Sequence, residues 1–353
     1  MTLSSTGRLL RDLVRTPSVS GNEGEAARRL ADWARGQGLA VRLDGSAVRI
    51  EVDSGKPGPT LLLASHLDTV PAGEGWDRDP LAGDVEDGVL WGRGASDAKA
   101  SVAAMAAAAV QTRARRGRLV VLATYGEETA ATTMPAALSR LGRVDHAIVG
   151  EPTSLDPAVA QRGLLVLRLT WSGRACHAGW AATLPDPPEN PIVVAAEDLT
   201  ALGALRWDPA HPELGRVSVT PTVLRAGEAH NAIPSRCDAV LDVRTIPGHA
   251  NDDILAAIRR VVRGSVEPTS QRFLPCETPA GSRLLAAVRR ARPASRPFAS
   301  PTASDWVFLR HVDAVKLGPG DSRLSHTAEE RVPLDAVDEA ERLYAAVATE
   351  ILS

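Results

Sequence analysis

The sequence predicts an α/β protein with a mainly parallel sheet, interrupted by an inserted α+β two-layer domain. Short apolar runs alternate with helical patterns through the first part of the chain. The pattern changes after Gly163, where strands with an alternating character are predicted, and the first pattern resumes near Ser282. We therefore place one domain at residues 1–162 and 280–353, with residues 163–279 inserted into it.

The elements of the outer domain follow from spacing and composition. Apolar residues three and four positions apart predict helices over residues 9–14 and 23–36, the second led by Ser20-Gly21-Asn22 as a start signal. Residues 98–111 are mostly alanine, the strongest helix former, and predict a central buried helix. The other predicted elements are strands over residues 41–43, 47–52, 60–64, 119–124 and 146–149, and helices near 133–141, 282–291 and 334–352.

The inserted segment is expected to have a core of its own. Its predicted order is strand, helix, strand, strand, helix, which is typical of a small two-layer domain. The elements are predicted over residues 164–171, 191–202, 217–224, 237–244 and 252–262.

Composition excludes several classes of protein. The chain has 353 residues, 44% of them hydrophobic and 24% charged, with a formal net charge of −3. It lacks the basic surplus that a nucleic-acid binder needs, and no apolar stretch approaches the roughly 20 residues of a membrane span. Neither an export signal nor a disulfide framework is indicated, since the three cysteines are widely spaced. We expect a cytoplasmic protein.

Several potential metal ligands stand where apolar runs end. Carboxylates and imidazoles are suitable ligands for divalent ions such as zinc, and a spare glutamate can act as a base. Most of these residues follow strands whose carboxyl ends share one edge of a parallel sheet, so they are expected to converge. Taken singly, Asp97 could instead be a helix N-cap, and the glutamate pair a solvated loop. The candidates are His66, Asp97, the pair Glu127-Glu128, Glu151 and His326.

The sequence positions of Asp68 and of the pair Glu127-Glu128 suggest roles beside the metal ligands. Asp68 lies two residues after His66 in an extended segment, so its side chain can accept the second imidazole N–H and orient the ring. The alternative is that Asp68 caps a turn before Thr69-Val70-Pro71. In the pair Glu127-Glu128, one carboxylate is expected to bind metal while its neighbour serves as a base for amide hydrolysis.

The ordered motifs resemble a known family. The segments HLDTVP, GRGASDAK, GEET, GEPT, SGRACHAG, HNAIP, DVR and GPGDSRLSHTAEE are similar to those of the di-zinc amidohydrolases and peptidases. That family includes acetylornithine deacetylase, succinyl-diaminopimelate desuccinylase, aminoacylase and carboxypeptidase G. The resemblance covers essentially the whole chain, and further stretches are most similar to the N-acetyl- and N-succinyl-ornithine deacylases.

The resemblance implies a ligand set for two Zn²⁺ ions, for which Co²⁺ or Mn²⁺ are possible substitutes. His66 and Glu151 would hold one ion, Glu128 and His326 the other, and Asp97 would bridge them. It also implies a cis peptide bond after Asp97.

Other residues receive roles by the same resemblance. Glu127 would be the general acid/base, and His177, often supplied by the partner subunit in this family, would stabilise the developing oxyanion. Arg244 would hold the substrate α-carboxylate through paired hydrogen bonds, assisted by Asn231. The inserted domain would act as a lid and join a homodimer. Without the resemblance, His177, Asn231 and Arg244 could equally be turn or surface residues.

The expected activity is removal of an N-acyl group from an amino acid with a free α-carboxylate. N2-acetyl-L-ornithine, in arginine biosynthesis, is the first choice. The alternatives are succinylornithine, succinyl-diaminopimelate and carrier-protein lysine or ornithine amides. A different class is a catalytically inactive binding or dimerising homologue, which should have lost a ligand or the base. Asp305, Asp321 and Glu329 are candidates for binding an ornithine ammonium group.

Overall fold

The computed structural model describes residues 2–129, 132–181 and 183–353, which form two compact units. The first unit comprises Met1–Val159, Glu277–Phe298 and Ser304–Ser353, and the second comprises Ala160–Cys276 with Ala299–Ala303. Residues 299–303, which the sequence analysis assigned to the outer domain, belong to the second unit. A backbone hydrogen bond of 3.2 Å from Arg162 to Ser300 ties this segment to the second unit.

The helices and strands are given in chain order. The helices are α1 Ser5–Val14, α2 Gly24–Gly36, α3 Lys99–Gln111, α4 Met134–Leu138, α5 Ala178–Ala181, α6 Pro191–Leu202, α7 Asn251–Val261, α8 Arg283–Ala291 and α9 Leu334–Ile351, with a 3₁₀ helix at Asp305–Leu309. The strands are β1 Ala40–Asp44, β2 Ala47–Asp53, β3 Thr60–His66, β4 Asp84–Glu86, β5 Val89–Trp91, β6 Arg118–Thr124, β7 His146–Val149, β8 Ala158–Gln161, β9 Gly163–Ser172, β10 Cys176–His177, β11 Ser218–Ala226, β12 Ala232–Ile233, β13 Arg236–Thr245, β14 Ser265–Phe273, β15 Cys276–Glu277, β16 Phe298–Ser300, β17 Asp313–Lys316 and β18 Arg331–Pro333.

The first unit contains a mixed sheet with a parallel centre. Strands β6, β3, β7 and β17 lie side by side and run parallel, which confirms the predicted fold class. The hairpin β1-β2 adds antiparallel to β6, and β8 pairs antiparallel with β17. All seven residues of β3 are buried, as expected for a strand that is covered on both faces.

The predicted central helix is confirmed in α3. Every residue from Lys99 to Ala109 is buried, and α3 shares one core with α1, α9 and the apolar side chains of the sheet. Its alanines add little bulk, so neighbouring elements approach it from several sides. Asp97 does not cap this helix, because the N-cap position is Ala98.

A small antiparallel sheet, β4-β5-β18, escaped prediction because its strands have only three residues each. Arg331 pairs with Trp91 and Pro333 with Val89. This pairing places the segment that follows His326 beside the segment that leads to Asp97.

The second unit is a four-stranded antiparallel sheet in the order β11-β13-β9-β14. Buried and accessible residues alternate along β9 and β13, and the buried side chains form one core with those of α6 and α7. Strand β14 was not predicted, because it is largely polar, contains Pro268 and breaks register twice along β9. None of the described helices combines the length and apolar character that crossing a membrane requires.

Candidate metal centre

The candidate ligands of the first unit lie beyond the carboxyl ends of its parallel strands. His66 is the last residue of β3, and its register partner in β6 is Thr124, three residues before Glu127. Glu151 follows β7 by two residues. Parallel pairing therefore carries three loops of distant sequence to one edge of the sheet.

Ligand atoms from His66, Asp97 and Glu128 all lie within 4.8 Å of one another. One carboxylate oxygen of Asp97 is 3.3 Å from His66 Nε2, and the other is 3.7 Å from His326 Nε2. His326 Nε2 is also 2.9 Å from a carboxylate oxygen of Glu128. Asp97 thus lies between two imidazoles, the arrangement expected of a ligand shared by two ions. The peptide bond after Asp97 is cis, as the resemblance implies.

Glu127 has an environment that favours its protonated form. Burial raises the pKa of Glu127 well above its ordinary value, the positive charge of His66 lowers it, and the negative charges of Glu151, Asp305 and Glu128 raise it further. A glutamate with a raised pKa is better suited to general acid/base catalysis than one with an ordinary pKa.

Glu151 belongs to the same group of charges. Burial raises its pKa to about 8, and the negative charge of Asp97 acts in the same direction. His66 and Lys316 oppose this effect. The buried carboxylates therefore repel one another, and divalent cations would relieve this repulsion. Carboxylate and imidazole groups are also the ligand types that zinc accepts, so the residues fit a metal site.

The structure adds a second role to the one predicted for Asp68. The closer acceptor for His66 Nδ1 is the backbone carbonyl of Asp68, at 3.0 Å, whereas the Asp68 carboxylate is 3.5 Å away. That carboxylate instead accepts the backbone N–H groups of Glu127 and Glu128 at 3.0 and 3.1 Å. Burial raises the pKa of Asp68, but hydrogen bonding and the charge of His66 lower it to about 2. Asp68 therefore holds the Glu127-Glu128 loop as well as facing His66.

Residues near the N-terminus also support the site, and sequence analysis missed them. Ser20 donates its hydroxyl to the Asp68 carboxylate at 2.7 Å, so its interpretation as a helix start signal was wrong. Helix α2 begins at Gly24, and the buried Glu23 accepts the N–H of Gly126 at 3.2 Å, just before Glu127. The sequence carried no clear signal for these roles, because polar residues before a helix are expected to cap it, whereas α2 has no side-chain cap.

In the second unit, His177 and Asn231 lie on paired segments. His177 pairs with Ala232 between β10 and β12, and the N–H of Ala178 donates to the carbonyl of Asn231 at 2.8 Å. Both residues are exposed. His177 Nδ1 accepts the Gly179 N–H at 3.1 Å, so in the neutral ring the proton lies on Nε2. His177 therefore presents a hydrogen-bond donor to solvent.

Arg244 lies near the C-terminal end of β13, whereas Asn231 precedes the start of that strand. The guanidinium group of Arg244 donates two hydrogen bonds to the Asp242 carboxylate, at 2.8 and 3.0 Å. Arg162 is nearby: burial lowers the pKa of Arg162, and the charge of Arg244 lowers it further. The second unit thus contains two guanidinium groups whose charges repel each other, Arg162 and Arg244, of which only Arg244 was predicted to have a role.

A model of peptidase family M20/M25/M40 matches residues 62–350. The chain belongs to this family. It is 32% identical over 346 residues to a protein of Pyrobaculum aerophilum named as a LysW-lysine/LysW-ornithine hydrolase, with 94% of this chain and 93% of the relative covered. It is 31% identical over 369 residues to a succinyl-diaminopimelate desuccinylase of Phenylobacterium zucineum, with 96% of both covered.

Solved structures share the fold. The YXEP protein of Bacillus subtilis, described as a dinuclear metal-binding peptidase of the M20 family, superimposes with a TM-score of 0.74. It is 18% identical and covers 98% of both chains. This likeness confirms the fold class, while the family model and the two relatives confirm the resemblance and identify the chain as a hydrolase of family M20.

Proposed function

We propose that the protein hydrolyses the amide bond of an N-acylated diamino acid with a free α-carboxylate, using two divalent ions, most simply Zn²⁺. The observation that carries this proposal is the position of Asp97 between His66 and His326, with Glu128 against His326. By the resemblance, His66 and Glu151 would hold one ion, Glu128 and His326 the other, with Asp97 shared.

When bound, such ions activate water and polarise the amide carbonyl. The side chains account for the remaining proton and charge movements. Glu127 would accept the proton of the attacking water and return it to the leaving nitrogen. His177 would donate from Nε2 to the developing oxyanion, which fits the hydrogen bond that its Nδ1 accepts. Arg244 and Asn231 would hold the substrate carboxylate.

All of the candidate substrates contain a diamino acid, and this shared part defines the proposed substrate class. N2-acetyl-L-ornithine, our first choice from the sequence, is an acylated diamino acid, and so is succinylornithine. The relatives are named for succinyl-diaminopimelate and for lysine and ornithine attached to LysW. These names favour the succinyl and carrier-linked alternatives over the acetyl one, while the diamino acid is common to all.

Of the three residues considered for binding a substrate ammonium group, the structure favours Asp305. Asp321 is paired with Arg323 at 2.6 Å, and the Glu329 side chain is 75% exposed. Asp305 is buried and accepts the Thr132 hydroxyl at 2.9 Å. Its negative charge raises the pKa of Glu127, which couples it electrostatically to the candidate base.

A homodimer joined through the second unit is part of the proposal. Among the described strands, β11 pairs with β13 alone, so one of its edges offers free backbone groups. Val223 and Leu224 on β11 are 37% and 55% exposed, and Ile192 and Val193 on α6 are 40% and 52% exposed. Light scattering should show a dimer, and Leu224→Glu should shift it toward monomer. A monomeric wild-type protein with full activity would contradict the proposal.

The main experiment is a steady-state assay of the purified, metal-loaded protein. The substrates are N2-acetyl-L-ornithine, N-succinyl-L-ornithine, N-succinyl-diaminopimelate and, as a small mimic of a carrier-linked amide, ornithine joined by an amide bond to a glutamate side chain. At least one should be cleaved efficiently, while N-acetyl-L-leucine should be a poor substrate. Efficient cleavage of N-acetyl-L-leucine alone would refute the diamino-acid class. Metal analysis should give two ions per chain. A catalytically inactive homologue would retain far fewer and cleave none of the amides.

A further inference from the structure

Glu330 lies beside the loop that carries Asp97, although it has no assigned function. It directly precedes β18, and its backbone carbonyl accepts the Gly92 N–H at 3.1 Å. This hydrogen bond extends the β5-β18 pairing by one step. The strand register therefore brings the segment after His326 against residues 92–97.

The Glu330 side chain is completely buried and holds this loop through its backbone. One carboxylate oxygen accepts the N–H groups of both Ser96 and Asp97, at 3.1 and 3.0 Å. Two adjacent N–H groups on a single acceptor restrict the orientation of that peptide segment. The direction in which the Asp97 side chain leaves the backbone is restricted with it.

The other carboxylate oxygen of Glu330 forms an ion pair with Arg93. Arg93 Nη1 donates to it at 2.5 Å, and Arg93 Nη2 donates to the carbonyl of Ala72 at 3.0 Å. The guanidinium also lies 5.4 Å from the ring centroid of Trp76. Since Arg93 is buried as well, the charge of Glu330 is balanced inside the protein.

We propose that Glu330 is a positioning residue that clamps the backbone of Asp97 and thereby sets its carboxylate between the two ion sites. This inference rests on the proposed metal centre, because it concerns how a shared ligand is oriented. Glu330 itself need not contact an ion. The competing explanation is that Glu330 and Arg93 form an ordinary buried ion pair that stabilises the fold without affecting metal binding.

Two double variants separate these explanations. Arg93→Met with Glu330→Gln removes both charges but keeps a carbonyl oxygen that can accept the two loop N–H groups. Arg93→Met with Glu330→Met removes both charges and the acceptor while keeping a similar side-chain length. The two variants therefore differ mainly in whether residue 330 can accept hydrogen bonds from the N–H groups of Ser96 and Asp97.

Metal affinity of the metal-free proteins is measured by titration with Zn²⁺ against a chromophoric chelator, and coordination by the visible absorption of bound Co²⁺. Loss of a residue that orients a metal ligand typically weakens metal binding by about 10- to 100-fold. We expect that loss and an altered Co²⁺ spectrum for the double variant with Glu330→Met. The double variant with Glu330→Gln should bind with an affinity close to wild type. Equal affinities in the two double variants would overturn the clamp.

Folding and the parent proposal are checked separately. Thermal unfolding of the metal-free proteins shows whether each variant is folded. If the double variants do not fold, the single variant Glu330→Asp replaces them, because it keeps the charge opposite Arg93 but draws the acceptor back from the two loop N–H groups; Glu329→Asp is its exposed neighbour control. Weaker metal binding in Glu330→Asp with unchanged binding in Glu329→Asp supports the clamp, and unchanged binding in both refutes it. A wild-type protein that binds no Zn²⁺ would refute the metal centre itself.

Discussion

The two units hold their candidate site residues in different ways. In the first unit, ligand atoms of His66, Asp97 and Glu128 lie within 4.8 Å of one another, and buried carboxylates anchor the loops of Asp97 and Glu128 through backbone N–H groups. In the second unit, His177 and Asn231 are exposed and meet through the backbone of two short strands. Arg244 is paired with a neighbour on its own strand.

This difference corresponds to two proposed functions, metal binding in the first unit and substrate contact in the second. Metal ligands must be close before an ion binds, and their mutual repulsion has to be resisted by the surrounding fold. Residues that contact the substrate can remain exposed until it arrives. We therefore expect substitutions in the first unit to affect metal binding or proton transfer. Substitutions in the second unit should alter turnover or substrate affinity while metal content stays at two ions per chain.

The largest effect is expected for Glu127→Gln. General acid/base catalysis typically contributes about 100- to 10,000-fold, so kcat should fall by at least about 100-fold. Metal content should stay unchanged, because Glu127 is not an expected ligand. Steady-state kinetics and metal analysis check both points, with the exposed Glu197→Gln as the control. Near-normal turnover would remove Glu127 from the mechanism.

His177→Ala tests whether an exposed residue of the second unit takes part in the chemistry. Loss of one oxyanion donor typically lowers kcat by about 100- to 1,000-fold, with little change in metal content. Mixing this variant with Glu127→Gln in a subunit-exchange experiment should restore part of the activity if His177 acts in the partner subunit. An unchanged kcat for His177→Ala would leave that residue without a catalytic role.

Arg244→Met should act mainly on substrate affinity. A hydrogen bond to a charged group contributes about 1.5 to 3 kcal/mol, so KM should rise by roughly 10- to 150-fold if the carboxylate of the substrate is bound there. Arg244→Lys should recover only part of this, because an ammonium group cannot make paired hydrogen bonds. A lower kcat at constant KM would indicate another role.

Asp198 tests stability in the second unit without touching its site. It accepts hydrogen bonds from Trp171 Nε1 at 2.7 Å and from the Arg263 backbone and side chain at 2.8 Å. Asp198→Asn should lower the free energy of unfolding by about 1 to 3 kcal/mol at pH 7. Urea unfolding followed by tryptophan fluorescence measures this. The exposed control Glu197→Gln should cost less than about 1 kcal/mol.

The cost of Asp198→Asn should depend on pH. Burial raises the pKa of Asp198, but the hydrogen bonds from Trp171 and Arg263 outweigh this and lower it below its ordinary value of 3.8. The folded state therefore favours the ionised form. This contribution is complete above the unfolded pKa and is lost as the pH falls through the lower, folded pKa. Wild type and variant should converge in strong acid, and a constant difference would contradict this origin.

Much of the fold was accessible from local pattern. The alanine-rich run of α3, the apolar run of β3 and the alternation in β9 each specify one element, because burial on all sides, on two faces or on one face leaves different periods in the sequence. The polar strand β14 and the three-residue strands β5 and β18 were missed. Their positions depend on pairing with distant partners, and they carry little local signal.

Some residues of the candidate site could likewise be predicted from the sequence, and others could not. The identities of His66, Asp97, Glu128, Glu151 and His326 were evident from the sequence, because each stands in a conspicuous motif. The supporting residues Ser20, Glu23 and Glu330 were not, since a carboxylate or hydroxyl that anchors a backbone resembles any other surface polar residue until its partner is known. The sequence alone therefore determined the family, most of the elements and the ligand types. Tertiary structure decided which side chain orients which loop, because those contacts join residues up to about 230 positions apart.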